Sequence, residues 1–396
     1  MNIVKIKNFS LGLFLFCIMG NSQSLNVKTG EGEDDKISVT MGGRIVFDGA
    51  LYFDDKTPLG NGTTITDTRL TAKMTYKKWD VKIDMGFNDK KVNTKDLHLK
   101  YNINDRSWVK LGYYGEQFGL ENWEGSAWQK FMTASVSTQV FGTSRQLGIT
   151  YVNWNDKVYY SGGIFSDNDA ISDVKEGNQG YAFIGKLSYA PLNSKKNLIH
   201  LGISAEYRTG NRNGVDENNN TQRFMNYSSN LDTRVEKKKP INFTLDQVKN
   251  QLRFVAEFIT ASGPFFLQGE YYNLHVNRRK DYHSYDAYGF YAQSGLLLLG
   301  DQLYKYNLED RRLKRPKDKT LELVVRYDYT DLNDGFFSNE SLKGGRINDF
   351  SAGINYYLNK YIGFKINYSY LSLGNNNNFG TKENINLLQG RVLVVF

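Results

Sequence analysis

Apolar and polar residues alternate along nearly the whole chain. From Trp79 to Phe87, Val81, Ile83, Met85 and Phe87 fall on one side of an extended backbone and Lys82, Asp84 and Gly86 on the other. A period of two marks a β-strand, whose successive side chains leave opposite faces. The same pattern predicts strands at Ser38–Phe53, Asp67–Tyr76, Trp79–Phe87, Thr94–Ile103, Ser107–Tyr114, Arg145–Trp154, Val158–Phe165 and Gln179–Tyr189. It continues at Leu198–Arg208, Gln251–Thr260, Pro264–Val276, Asp286–Leu299, Thr320–Thr330, Arg346–Leu358, Tyr361–Leu373 and Asn384–Phe396. The total is about sixteen, an even count that suits a closed antiparallel barrel.

The links between these strands alternate in length, as in bacterial membrane barrels, which have tight turns on one side and long loops on the other. Lys77-Lys78, Asn104–Arg106, Asn155–Lys157, Pro191–Lys196, Ala261–Gly263 and Asn359-Lys360 are short. The stretches 54–65, 88–93, 115–144, 166–178, 209–249, 277–285, 331–345 and 374–383 are long. Gly300–Lys319 breaks the alternation, being long and basic where a short turn belongs. The third long link, 115–144, is also unlike a surface loop, which would be small and polar. It carries Phe118, Leu120, Trp123, Trp128, Phe131 and Met132 and must pack against something. In a barrel that something is the interior, so an inward-folded third loop is expected to narrow the lumen.

Alternation alone does not separate a membrane barrel from a soluble sandwich. Three features favour the membrane. With 27 Tyr, 24 Phe and 37 Gly but 5 Pro, the apolar face is aromatic enough to supply interfacial girdles. The other face is charged in mid-strand, and no domain boundary interrupts the chain. Mean hydropathy is −0.53, and beyond the N-terminus no run of about twenty apolar residues could cross as a helix. The fold class expected is therefore all-β, a sixteen-stranded antiparallel transmembrane barrel.

Domain organisation follows. Lys5 and Lys7 precede an apolar core, Phe9–Met19, and then Gly20, Asn21 and Ser22, so residues 1–24 read as a cleaved export signal. Residues 25–37 read as a flexible lead and 38–396 as one barrel domain, with 115–144 as its constriction loop. The single cysteine, Cys17, lies in the signal, which excludes disulfide, thiol and cysteine-metal chemistry from the mature chain. Export, together with an alternating final strand that ends on Phe396, places the chain in the outer membrane of a Gram-negative bacterium. There Phe396 would be read by the barrel-assembly machinery, and lipid and lipopolysaccharide would surround the wall.

A polar face turned to a water-filled lumen sets ion selectivity through its charges. Basic candidates for the substrate path are Arg44, Arg69, Lys73, Lys82, Lys100, Lys110, Arg145, Arg208, Arg253, Arg326, Lys365 and Arg391. Asp84, Asp96, Glu206, Glu257, Glu270, Glu322 and Asp328 interleave with them, and Glu116, Glu121, Glu124 and Lys130 belong to the constriction loop. The lumen face is therefore mixed with a basic excess, from which a moderate anion preference follows; loss of Lys5 and Lys7 with the signal takes the formal charge of +8 to about +6. The histidines lack metal-ligand spacing, and Gly-x-Ser-x-Gly, phosphate-cradling and His-Glu-x-x-His patterns are absent, so an enzyme is not expected. No cofactor is expected, since diffusion needs none. The basic runs Lys237–Lys239 and Arg311–Lys319 read as solvated loops or lipopolysaccharide contacts; an exported chain rarely meets nucleic acid.

LELVVRYDYTDLNDG (Leu321–Gly335), GGRINDFSAGINYYLNKYIGFKINY (Gly344–Tyr368) and the Gln389–Phe396 ending carry a resemblance to the phosphate-selective porin O and P family. FGLE at Phe118, RQLG at Arg145, GPFFLQGEYY at Gly263 and GFYAQSGLLLLGD at Gly289 extend it over the mature chain. The resemblance implies a sixteen-stranded homotrimeric porin whose third long loop enters the pore, with arginines and lysines along the path. Passive diffusion of small anions, with phosphate or polyphosphate as candidates, is the function expected. A weakly selective general diffusion porin is the alternative within the class, and a structural or adhesive barrel the alternative outside it.

Overall fold

The computed structural model describes residues 23–28, 36–53, 56–88, 91–125, 127–166, 179–210, 223–279, 282–334 and 342–396. Of the segment expected to be an export signal, all but residues 23 and 24 lies outside them. Sixteen long strands form the wall: β1 (Lys36–Phe53), β2 (Gly62–Tyr76), β3 (Trp79–Asn88), β4 (Lys91–Asn104), β5 (Ser107–Gly115), β6 (Arg145–Trp154), β7 (Val158–Ser166) and β8 (Tyr181–Asn193). They continue as β9 (Asn197–Thr209), β10 (Val248–Ser262), β11 (Phe265–Arg278), β12 (Tyr285–Leu299), β13 (Thr320–Asp334), β14 (Leu342–Tyr357), β15 (Ile362–Leu373) and β16 (Glu383–Val395). Each pairs antiparallel with the next, and β1 returns to β16 from Arg44 opposite Val395 to Phe53 opposite Asn386. A closed ring leaves no unpaired wall strand, which a lipid-embedded backbone requires because hydrocarbon offers no hydrogen bonds.

Closure uses the last residue of the chain. Phe396 and Gly43 exchange both backbone hydrogen bonds, at 2.8 and 3.0 Å. Below them, Gln23–Lys28 runs antiparallel to Lys36–Met41, on the edge of β1 that β16 has already left. Residues 25–28 of the stretch expected as a lead are thus in a strand, and 29–35 lie outside the described residues.

The two faces sort as the alternation requires. Leu252, Phe254 and Tyr271 point outward and are exposed, as are Leu201, Ile203 and Phe350. Their neighbours Arg253, Glu257, Glu270, Ser204 and Asp349 point inward and are buried. A lipid-facing Arg or Lys at mid-depth costs about 2–4 kcal/mol, so charge is confined to the inner face. Link lengths follow expectation with one exception. β3 ends at Asn88 and β4 begins at Lys91, so the link expected to be long is two residues.

Candidate functional site

The segment between β5 and β6 packs on the buried face of the opposite wall. Phe118, Leu120, Phe131, Met132, Val136, Val140 and Phe141 are all at most 4% exposed. Its α-helix, α1 (Val136–Phe141), is only a turn and a half, too short to persist alone. Ser135 caps it by accepting from the Thr138 amide, and Glu121 accepts from the Ser135 amide at 2.9 Å and the Thr138 hydroxyl at 3.0 Å. Gly119 has φ +72, and a Cβ there would run into the Glu270 carboxylate. Only glycine fits both constraints.

Charged groups fix the segment to strands β8 to β15. Glu116 takes two hydrogen bonds from Arg208, at 2.5 and 2.7 Å. The amides of Leu120 and Glu121 donate to Glu270 at 2.6 and 3.0 Å, and Lys186 donates to the Gly119 carbonyl at 2.6 Å. Lys130 meets Glu322 at 2.6 Å, and Ser137 donates to Asp328 through both amide and hydroxyl. Arg253 caps the carbonyls of Phe141 and Gly142, Arg326 that of Thr133, and Lys365 that of Gln129. Removing one partner from such a buried pair leaves an uncompensated charge, so the attachment is strong and specific.

A second segment enters from the short-turn end. The run Arg311–Lys319 was expected to be a solvated loop or a lipopolysaccharide contact, and the structure corrects this for its start: Arg311 is fully buried and Leu313 nearly so, as is Tyr304 before it, whereas Lys314, Lys317 and Lys319 are exposed. Arg311 donates to the carbonyls of Asn155 and Val158, both at 2.7 Å, and Tyr304 donates to Glu322 at 2.7 Å. Tyr306 reaches His200 at 2.6 Å, and Glu309 accepts from the Trp108 indole at 3.1 Å. Two of its cations serve the interior: Arg311 caps wall carbonyls and Arg315 stacks on rings. Arg315 sits 4.9 Å from the Trp128 ring and 5.0 Å from that of Tyr357.

A third segment, from the β9–β10 link, holds the hairpin Met225–Ser229 with Ile241–Leu245 and a buried stretch, Leu231 to Thr233. Asp232 accepts from Arg326 at 2.9 Å and from Ser351 and Ser369 at 3.2 and 3.3 Å.

These segments divide the twelve basic candidates into two groups. Arg208, Arg253, Arg326, Lys365 and Arg391 are buried; Arg208, Arg253, Arg326 and Lys365 bind an inserted segment, and Arg391 forks onto Asp48 at 2.7 Å. Arg44, Arg69, Lys73, Lys82, Lys100, Lys110 and Arg145, on β1 to β6, stay at least partly exposed. Several hold carboxylates: Arg44 binds Asp67 at 2.6 Å, Lys82 binds Asp96 at 2.6 Å, and Arg145 binds Asp96 at 3.0 Å. Lys110 instead lies 4.5 Å from the Trp108 ring and 5.0 Å from that of Tyr114. Of the loop residues, Glu116, Glu121 and Lys130 are buried in anchors, whereas Glu124 is half-buried with no hydrogen bond to its carboxylate among the described residues.

Two cavities flank the edge of the loop on this less-filled side. One of about 350 Å³ is lined by Arg44, Arg69, Lys73 and Lys82 together with Asp84, Trp128 and the terminal residue Phe396. The other, about 380 Å³, lies between Thr64–Thr66, Gln129 and the Thr233–Lys237 stretch that carries Arg234. Two cations here escape the alternation. Arg234 lies in a link, where periodicity says nothing, and Lys95 has the parity of the lipid-facing residues of β4 yet lies across Gly86 on the inner face. No sequence signal marks either.

Comparison with known proteins agrees with this architecture. The chain is 22% identical over 386 residues to Porin O of Pseudomonas aeruginosa, covering 85% of this chain and 83% of that protein. It is 26% identical over 307 residues to an uncharacterized protein of Caulobacter vibrioides, covering 73% of this chain but spanning only 58% of that one. Among solved structures, the anion-selective porin from Comamonas acidovorans superposes with a TM-score of 0.57 at 12% identity, covering 91% of this chain and 100% of that one. OmpT of Vibrio cholerae in its trimer form has the same TM-score at 12% identity, covering 91% and 99%. These place the barrel among outer-membrane porins of Gram-negative bacteria. Residues 39–396 match the family model for phosphate-selective porin O and P, and the chain belongs to that family.

Proposed function

We propose that this porin passes small anions by diffusion, with phosphate and polyphosphate as preferred solutes, along the basic wall formed by β1 to β6. The observation that carries the proposal is the partition of charge. Cations of the filled side are buried against carbonyls and carboxylates, while those of the less-filled side stay partly exposed beside their carboxylates, and four of them line one cavity. An excess of fixed positive charge lowers the energy of a passing anion and raises that of a cation. The segment 115–144 then acts as the constriction, its edge at Trp128 and Gln129 facing that wall. No residue in this reading forms a bond with the solute.

Homotrimeric assembly is part of the proposal, supported by the trimer form of the Vibrio porin. So are cleavage of residues 1–24, a lipopolysaccharide surround and recognition of Phe396 by the assembly machinery. A less selective diffusion porin is the second reading, favoured by Asp67, Asp80, Asp84 and Asp96, each of which partly neutralises a wall cation. Planar-bilayer recordings separate the two. Anion preference in a salt gradient, with chloride current reduced by added phosphate, supports the first. A reversal potential near zero and no effect of phosphate support the second.

A further inference from the structure

We infer that Lys95, which its place in the sequence assigns to the lipid-facing side, faces the lumen and contributes directly to the anion preference of this channel. The inference rests on the diffusion pathway proposed above and assigns a selectivity role to a residue that the wall pattern hides.

In β4, Leu97 and Leu99 point outward, and strict alternation would send Lys95 with them. An ammonium in contact with hydrocarbon is strongly disfavoured. The strand avoids this with a β-bulge. Asp84 of β3 pairs with Asp96 and Met85 with Thr94, so Lys95 has no partner on the neighbouring strand. Two residues then oppose one, which re-aims the extra side chain. Gly86 leaves the room: a Cβ there would meet the Lys95 Cε at 2.6 Å and its Cγ and Cδ at 3.4 and 3.5 Å. Gly86 lies two residues beyond Asp84, which Arg69 and Thr71 hold on the inner face, so Lys95 crosses that face too.

The charge it brings is not neutralised there. Arg44 and Arg69 share Asp67, while Lys82 and Arg145 share Asp96. Lys95 has neither an ion pair nor a hydrogen bond to its ammonium among the described residues. It feels Asp67 at longer range, together with the like charges of Arg69, Arg145 and Arg234. A bulge needed only to hide the amine from lipid would be served by a carboxylate at hand. An ammonium left half-exposed among cations, beside water, attracts an anion.

The test is reversal potential in a chloride gradient. Lys95→Gln should lower the anion-to-cation permeability ratio about tenfold, because one unit charge about 6 Å from the ion at the dielectric constant of water is worth about threefold on each ion, in opposite directions. Lys95→Arg should preserve it. Because a substitution at a bulge can disturb insertion, Lys95→Cys in a Cys17→Ser background is to be modified after the pores have formed. A cationic thiol reagent should raise the ratio and an anionic one lower it. A wild-type pore without anion preference defeats the functional reading itself. A wild-type preference that persists in Lys95→Gln, or is indifferent to the charge placed on the introduced thiol, overturns the inference about Lys95 alone.

Discussion

The Lys130 ammonium lies 2.6 Å from the Glu322 carboxylate, joining the segment between β5 and β6 to strand β13. Glu322 also accepts from Tyr304 of the Gly300–Lys319 segment and from Tyr357 of β14, each at 2.7 Å. One buried carboxylate thus holds two of the inserted segments against the wall. Glu322→Leu would leave the Lys130 charge buried and unpaired, at a cost of about 3–5 kcal/mol. Higher and noisier single-channel conductance is expected, with a lower temperature of barrel unfolding on gels. Lys130→Met combined with Glu322→Leu should recover much of the loss, because no charge is then stranded. Conductance unchanged in Glu322→Leu would mean that other contacts suffice to seat the segment.

Gly119 offers a test that removes no charge. Its φ of +72 and the carboxylate of Glu270 leave no place for a methyl group. Gly119→Ala should displace the start of the segment and cost about 1–3 kcal/mol, the usual range for a strained backbone site. The expected readouts are enlarged conductance and faster proteolysis within 115–144. Wild-type behaviour in both would show that the backbone can relax there.

Glu124 makes selectivity depend on pH. Burial pushes its carboxyl up to about 7, against the pull of Arg312 and Lys130. Below that value the group is neutral; above it a negative charge stands at the loop. Anion preference should therefore fall as pH rises through about 7, and Glu124→Gln should flatten the profile. The stability contribution has the same sign. The ordinary value is 4.5, so the folded form binds the proton more tightly. That stabilisation is fully present below 4.5 and lost as pH rises through about 7. Reversal potentials at about pH 5 and about pH 8, either side of the shifted value, check the first claim in wild type against Glu124→Gln.

The two groups of basic residues should respond differently to neutralisation. Lys82→Gln, on the less-filled wall, should reduce the anion-to-cation preference by up to about tenfold with little change in stability. Arg208→Gln should chiefly destabilise, because Glu116 and Glu206 both lose their shared cation. Raising salt from about 0.1 M to about 1 M shortens the screening length from about 10 Å to about 3 Å and should erode the preference of every variant. Equal effects on selectivity from Lys82→Gln and Arg208→Gln would contradict the division of the wall.

What the sequence determined by itself was everything that depends on local periodicity. Alternation in Val81–Phe87 and its counterparts gave the strands, their even number and the inward placement of the charges, because a strand in lipid must sort its two faces residue by residue. The aromatic content of 115–144 likewise announced a buried segment. Tertiary structure decided which wall that segment covers, and so which cations stay partly exposed and which serve as anchors. Arg208 and Lys82 look alike in the sequence; only the loop lying over one of them sets them apart. The burial of Arg311 in the Gly300–Lys319 turn and the inward turn of Lys95 were not legible for the same physical reason. A long link can fold either way at a barrel mouth, and a single bulge reverses a side chain without leaving a mark in the pattern of residue types.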